Sequence, residues 1–345
     1  MSEKIVRVAV VGAGAFGRNH LRVYRELASA GTAVKLVAVV DADGSVATRA
    51  AAEFGIACFA TVAEMLASDL KVSAASVCVP TVHHAVVACE LMVAGVDVLI
   101  EKPLAGTLED ADLILAAAKA YGRVVQVGHL ERFNPAVTAA RTKLNRPMFF
   151  ESHRLSVFTP RSLDVDVVLD LMIHDLDLVL SLVDSTVREV RAVGLPVLSK
   201  KVDIANVRLE FENGCIANFT ASRVSTERVR KLRFFQPHQY LSLDFARQDL
   251  LMIDVTAAAG LDAAELAAMA AMVSAAGGHP SAGLSLKKVP VEAGEPLMLE
   301  LVAFLGSVQT GTVPVVSGAD GRAALALALE VNAAIAQHAH RAGLI

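Results

Sequence analysis

Ile5-Val6-Arg7-Val8-Ala9-Val10-Val11-Gly12-Ala13-Gly14-Ala15-Phe16-Gly17-Arg18 decides how the rest of the chain is read. A β-branched, apolar run enters the glycine turn directly, and an amphipathic run from Phe16 to Leu27 follows without a spacer. The order is strand, glycine turn, helix. Gly12 permits the tight turn, Gly14 leaves room for a pyrophosphate, and Gly17 lets the helix close on the strand. The free N–H groups and positive dipole end of that helix then face the phosphates. A second apolar run, Leu36 to Val40, ends in Asp41. That is near the spacing of about 20 residues at which an acid grips the adenosine ribose, and an acid there favours NAD over NADP. The expected cofactor is NAD, held at Gly12, Ala13, Gly14, Ala15, Phe16, Gly17 and Asp41. A tight glycine turn without a ligand is the rival reading, and the agreement of strand, helix and acid outweighs it.

Working outward, the alternation of strand and helix continues to about residue 129, which argues for a doubly wound parallel sheet. Strands are expected at Ala57 to Phe59, Ala75 to Val79, Asp97 to Ile100 and Val124 to Gly128, with helices between them; Thr61-Val62-Ala63-Glu64 reads as a capping box. Ligands in such sheets sit beyond the carboxyl ends of the strands. Pro80 and Thr81, then His84 at a helix start, and Glu101-Lys102-Pro103 are therefore further cofactor candidates, with either His83 or His84 approaching the nicotinamide. A cis peptide before Pro103 is also expected in such a turn.

Beyond residue 129 the rhythm changes. Met148 to Ser156, Val187 to Val193, Asn206 to Phe211, Ile216 to Ser222 and Arg230 to Phe235 read as strands of an open antiparallel sheet, with Glu212-Asn213-Gly214 as a hairpin turn. Helices are expected at Asn134 to Leu144, Val165 to Val183, Pro296 to Thr310 and Arg322 to Arg341, and the alanine-rich tract from Thr256 to Gly278 reads as a weakly amphipathic helix or flap. The fold class is α/β plus α+β: a dinucleotide-binding Rossmann domain over residues 1–129 and a substrate and oligomerisation domain over residues 130–345.

Composition narrows the function. A chain of 345 residues suggests about two domains. The net charge of −4 offers no basic field for nucleic acid. No run reaches the roughly 18 apolar residues of a spanning helix, and Met1-Ser2-Glu3-Lys4 leads straight into the first strand without a signal peptide. Cys58, Cys78, Cys89 and Cys215 lack paired spacing and read as buried thiols in a reducing, cytoplasmic compartment.

Two constellations could carry chemistry. Lys102 closes the fifth strand of the parallel sheet; with a reference pKa of about 10.4 it accepts a proton only if its surroundings lower that value, and otherwise it orients a hydroxyl. On a regular helix Asp170, His174 and Asp177 would share one face. A histidine beside an acid is a natural general base, because imidazole titrates near working pH and the carboxylate fixes its tautomer. A polar helix face without catalytic duty is the rival reading. No metal is expected, because nothing supplies the remaining ligands.

The glycine turn, the Glu101-Lys102-Pro103 triplet, the Arg132-Phe133-Asn134-Pro135 entry to the second domain and the Asp170-to-His174 spacing together resemble the Gfo/Idh/MocA oxidoreductases. The resemblance implies that Lys102 and His174 flank the reacting carbinol, that Glu101 lies near the nicotinamide ribose, that Asp170 contacts substrate, and that the open sheet makes dimers or tetramers. One departure is visible: where many members carry glycines, this chain has Leu169, Leu171 and Met172. The stretches Val127 to Pro135 and Ser162 to Asp175 also resemble the branch that oxidises the 3-hydroxyl of UDP-N-acetylglucosamine on the way to lipid A diamino sugars. A nucleotide sugar brings a diphosphate, which suits arginine forks. Asn134, Arg154 and Arg161 are the substrate-binding candidates, the arginines being otherwise ordinary solvated cations. Another sugar, an inositol or a uronic acid sugar nucleotide remains an alternative substrate, and an NAD-binding sensor without turnover is the alternative of another class.

Overall fold

The computed structural model describes residues 5–159, 165–255, 260–275 and 285–343. The chain forms two units, one of Met1–Phe133 with Gly294–Leu327, the other of Asn134–Ala293 with Ala328–Ile345. A single cut at residue 129 therefore misses a return of the chain.

The first unit alternates β1 (Val6–Val11), α1 (Ala15–Ser29), β2 (Val34–Val40), α2 (Gly44–Phe54), β3 (Ala57–Phe59), α3 (Val62–Leu66), β4 (Ala74–Val77), α4 (His84–Val93), β5 (Asp97–Glu101), α5 (Leu108–Tyr121) and β6 (Val125–Gly128). The strands make one parallel sheet in the order β3-β2-β1-β4-β5-β6. Strand order reverses between β1 and β4, the switch point where this class of sheet opens a crevice. Buried valines explain the strands: Val8 and Val10 of β1 and Val39 of β2 are fully enclosed, and branched side chains suit a sheet covered on both faces. Local chemistry sets the helix ends. Asp43 caps α2 by accepting from Ser45 and Val46, Thr61 caps α3, Thr107 caps α5, and Gly55 and Gly122 close α2 and α5 in the left-handed conformation.

In the second unit α6 (Pro135–Arg141), β7 (Phe149–Leu155), α7 (Ile173–Leu180), β8 (Val187–Leu195), β9 (Ile204–Phe211), β10 (Ile216–Ser222), β11 (Val229–Gln236), β12 (Gln239–Asp244), β13 (Asp249–Asp254), α8 (Ala263–Ala275) and β14 (Ser285–Val289) follow in order. The sheet has eight strands in the order β14-β13-β12-β11-β7-β10-β9-β8. It is antiparallel throughout except for the parallel pair β7 and β10. Phe150, Phe219, Phe234 and Leu241 lie on its buried face. α8 falls inside the alanine-rich tract and starts on a reciprocal cap between Asp262 and Glu265.

The last elements are α9 (Pro296–Thr310) and α10 (Gly318–Arg341). Leu301, Phe304 and Leu305 of α9 join the core built on Val8, Leu21, Tyr24 and Leu27 in the first unit. The lead-in to α10 is tied to the same sheet, Val127 donating its N–H to Val316. Of the four cysteines, all free thiols, only Cys215 is buried; Cys58 is exposed because β3 is an edge strand, which corrects the expectation of four buried thiols. Among the described residues no helix is long and apolar enough to cross a membrane.

Candidate active site

A cleft of about 900 Å³ opens where β1, β2 and β4 end, between the glycine turn, Asp41 and Pro80. Gly12 has φ +93° and packs so tightly that a Cβ would stand 2.6 Å from the Cys78 carbonyl oxygen. At Gly17 a Cβ would meet the Gly12 carbonyl. Gly14 is different: no protein atom lies within 4 Å of its Cβ position, so the missing side chain leaves space in the cleft itself. No side chain caps the start of α1, and its first N–H groups are therefore available to an anion. Asp41 accepts the Ala13 N–H at 2.7 Å and the Asp43 N–H at 2.9 Å. Each carboxylate oxygen keeps lone pairs for a ribose hydroxyl, while the acid offers a 2′-phosphate only repulsion. The residues present fit a dinucleotide with an unphosphorylated ribose.

Gly12, Gly14, Ala15, Phe16, Asp41 and Pro80 all line this cleft. Ala13 serves it through its bond to Asp41, Gly17 supports the turn from below, and Thr81 opens the 3-10 turn Thr81–His83 that follows Pro80. The histidines divide the work. His83 lines the cleft, whereas His84, proposed from sequence as a cofactor contact, is 1 % exposed and spans the carbonyls of Pro103 and Val79. Burial lowers its pKa, and it acts as a clamp between two loops. One of those loops carries Lys102, half-buried and joined to Pro103 by a cis peptide bond.

Glu101 has neighbours that were not singled out in sequence. His20 on α1 bonds its carboxylate at 2.9 Å. Glu300 on α9 is completely buried, neither of its carboxylate oxygens has a hydrogen-bond donor, and burial with the nearby charge of Glu101 pushes its pKa far up. A carboxyl in such surroundings keeps its proton. The sequence signal for His20 is its place on the inner stripe of α1, three residues past Gly17; Glu300 carries no comparable signal.

In the second unit, the helix expected over Val165 to Val183 is not regular. Val168–Met172 is a π-helical turn, closed by the Ile173 N–H bonding to the Val168 carbonyl, and α7 follows at once. Asp170 and His174, both half-buried, straddle the change from one helix type to the other, and Asp177 is 1 % exposed rather than on a shared open face. π-turns of this kind occur often at functional sites. The bulky Leu169, Leu171 and Met172 lie in this wider turn. Its start is pinned by Asp166, which accepts from Val168 and Leu169 and is held by Asn332, and by Arg223, which donates to the Val165 carbonyl at 2.6 Å.

Two substrate-binding candidates have other employment. Arg154 is 4 % exposed and grips Asp175, the residue after His174, through bonds of 2.9 and 2.7 Å. It projects into the core because it alternates with the outward His153 on β7. Asn134 caps α6 by accepting from Ala136 and donates to the Phe245 carbonyl; Asn before Pro is a helix start. Arg161 lies outside the described residues.

Residues 6–129 match the oxidoreductase family with an NAD-binding Rossmann fold, and residues 136–236 match the GFO/IDH/MocA C-terminal domain. UDP-N-acetylglucosamine 3-dehydrogenase of Acidithiobacillus ferrooxidans is 34 % identical over 96 % of this chain and 97 % of its own. Its solved structure covers 95 % of this chain and 97 % of its own, with a TM-score of 0.83. An inositol 2-dehydrogenase of Acidothermus cellulolyticus is 33 % identical over 56 % of this chain and 58 % of its own. A levoglucosan dehydrogenase solved with NADH and levoglucosan shares the fold, with a TM-score of 0.80 at 18 % identity over 96 % of this chain and 97 % of its own.

Proposed function

The chain belongs to the Gfo/Idh/MocA oxidoreductases, a family with an NAD-binding Rossmann fold, and from that membership we propose that it oxidises the 3-hydroxyl of UDP-N-acetylglucosamine to a ketone. The observation that carries the choice of substrate is the extent of likeness: the UDP-N-acetylglucosamine enzyme matches 96 % of the chain, the inositol enzyme 56 %. NAD, when bound, supplies the hydride acceptor. The glycine turn and Asp41 bind it, and Glu101 contacts its nicotinamide ribose. Lys102 and His174 hold the substrate hydroxyl and take its proton, with Asp170 orienting the imidazole and substrate. Holding the carbinol against the acceptor is the remaining contribution of the chain. The π-turn at Asp170 supports a pose set by the half-buried Leu169 and Leu171, Met172 being fully buried.

The same reading extends to a place in lipid A diamino-sugar synthesis, where an aminotransferase consumes the ketone, to a cytoplasmic location, and to a dimer or tetramer. The last is supported by an aromatic stack on the outer face of the eight-stranded sheet, where Phe149 and Tyr240 pack on Phe235, itself 38 % exposed.

The test is NAD reduction followed by absorbance with UDP-N-acetylglucosamine, its uronic acid analogue, free N-acetylglucosamine and inositol, with a carbonyl trap to draw off the ketone. Reduction only with the UDP-amino sugar is expected. Reduction with inositol alone would replace the substrate and leave the family intact, and silence across the panel alongside tight NAD binding would favour a sensor.

A further inference from the structure

Behind the glycine turn runs a buried line of polar side chains. His20 projects from α1 toward the sheet and is 0 % exposed. Its Nδ1 lies 3.0 Å from the Ser76 Oγ on β4, and its Nε2 lies 2.9 Å from a Glu101 carboxylate oxygen at the end of β5. One helical turn further along α1, the Tyr24 hydroxyl meets the same serine at 2.9 Å. Tyr24 and Ser76 are as fully buried as His20.

Counting protons orients this line. Tyr24 contributes one, its burial holding the phenol protonated. Ser76 contributes one, and a neutral imidazole one more. Three protons fill three links only if Tyr24 donates to Ser76, Ser76 donates to Nδ1, and Nε2–H donates to an ionised Glu101. A fourth proton, on the imidazole or on Glu101, would leave a buried donor with no link to enter, which is costly. Chains with one direction also strengthen their own members. The far end is the functional one. Glu101 immediately precedes Lys102; Cys78, a wall of the cofactor cleft, has its sulfur within 4.8 Å of the His20 and Glu101 atoms. A Gly128 Cβ would stand 3.1 Å from the second Glu101 oxygen, so that oxygen is packed as closely as the first is bonded. A cation drawn to this trio would need imidazole nitrogens that Ser76 and Glu101 already occupy.

We propose that His20 is a positioning residue: braced by Ser76 and Tyr24, it aims the Glu101 carboxylate at the cofactor from the buried side of the sheet. This rests on the reading of Glu101 as a cofactor contact. The experiment is NADH binding to the full-length protein, followed by nucleotide fluorescence, which needs no sugar substrate, with a thermal melt for every variant. His20→Leu keeps the bulk and removes both nitrogens; it should weaken NADH about tenfold, the scale of a hydrogen bond to a charged group. His20→Gln, which can accept from Ser76 and donate to Glu101, should recover most of that loss. Tyr24→Phe removes one proton without changing shape and should weaken binding several-fold; it decides the matter if His20→Leu does not fold. Glu101→Gln is the reference. If it weakens NADH while His20→Leu and Tyr24→Phe bind like the parent, the positioning role is overturned and the cofactor contact stands. Equal losses in His20→Leu and His20→Gln would overturn it too, since packing rather than hydrogen bonding would then be responsible. NADH affinity unchanged in Glu101→Gln overturns the contact and the inference together.

Discussion

A single side chain is legible in sequence when its duty is set by its immediate neighbours. The turn at Gly12, Gly14 and Gly17 and the placing of Asp41 beside it were readable for that reason, because turn, helix start and acid all lie within one βαβ unit. Arg154 and Asn134 were not: their partners are Asp175 and Phe245, 21 and 111 positions away. A polar residue that looks ready for a ligand is equally ready for a buried carboxylate or carbonyl, and packing alone chooses. His174 carries the sharpest prediction at this scale. His174→Ala should lower turnover about a hundredfold or more while NADH affinity stays as in the parent, since the dinucleotide cleft is lined by residues of the other unit. Single-turnover rates and nucleotide titration would check it, and full turnover in the variant would remove the base assignment.

Elements were read well where local chemistry announces them and missed where it does not. The parallel strands and their helices carry caps and left-handed glycines, and they fall close to their expected places. β12 and β13 escaped notice because the turns that precede them put His238 and Gln248, not glycine or asparagine, at positive φ of 62° and 54°. The π-turn at Val168–Met172 was equally hidden, since the phase shift made by one extra residue cannot be read in a short helix that is buried on most sides. What keeps α7 in place is testable. Arg154 joins β7 to α7 through a bidentate, buried ion pair, and removing one partner strands the other charge. Arg154→Ala should lose about 3–5 kcal/mol in urea unfolding. Parental stability combined with a much higher sugar KM would instead return Arg154 to the substrate site.

At the scale of the whole molecule the notable event is the return of Gly294–Leu327 to the first unit. It brings Glu300 under the parallel sheet, with Gln126 donating to its backbone carbonyl. Burial raises the Glu300 pKa, so the associated stability is fully present below the ordinary carboxyl range near about 4.3 and is lost as pH rises toward the folded-state value. Glu300→Gln carries no such proton. Its stability relative to the parent should therefore grow with pH, by up to ~1.4 kcal/mol per unit above that range, measured by urea unfolding at pH 5, 6, 7 and 8; parallel profiles would show that Glu300 titrates normally.

The order of the parallel strands and their helices, the glycine turn and the placing of Asp41 beside it were determined along the chain itself, because each depends on contacts within a few tens of residues. The proton-bearing candidates Lys102 and His174 were likewise named from motifs alone. Tertiary structure decided which polar residues became structural, which histidine of the pair turned to the cleft, and how a late helix completed an early core. Those choices depend on what one segment finds beside it after folding, and hydrophobic burial is too indifferent to sequence distance to announce the partner beforehand.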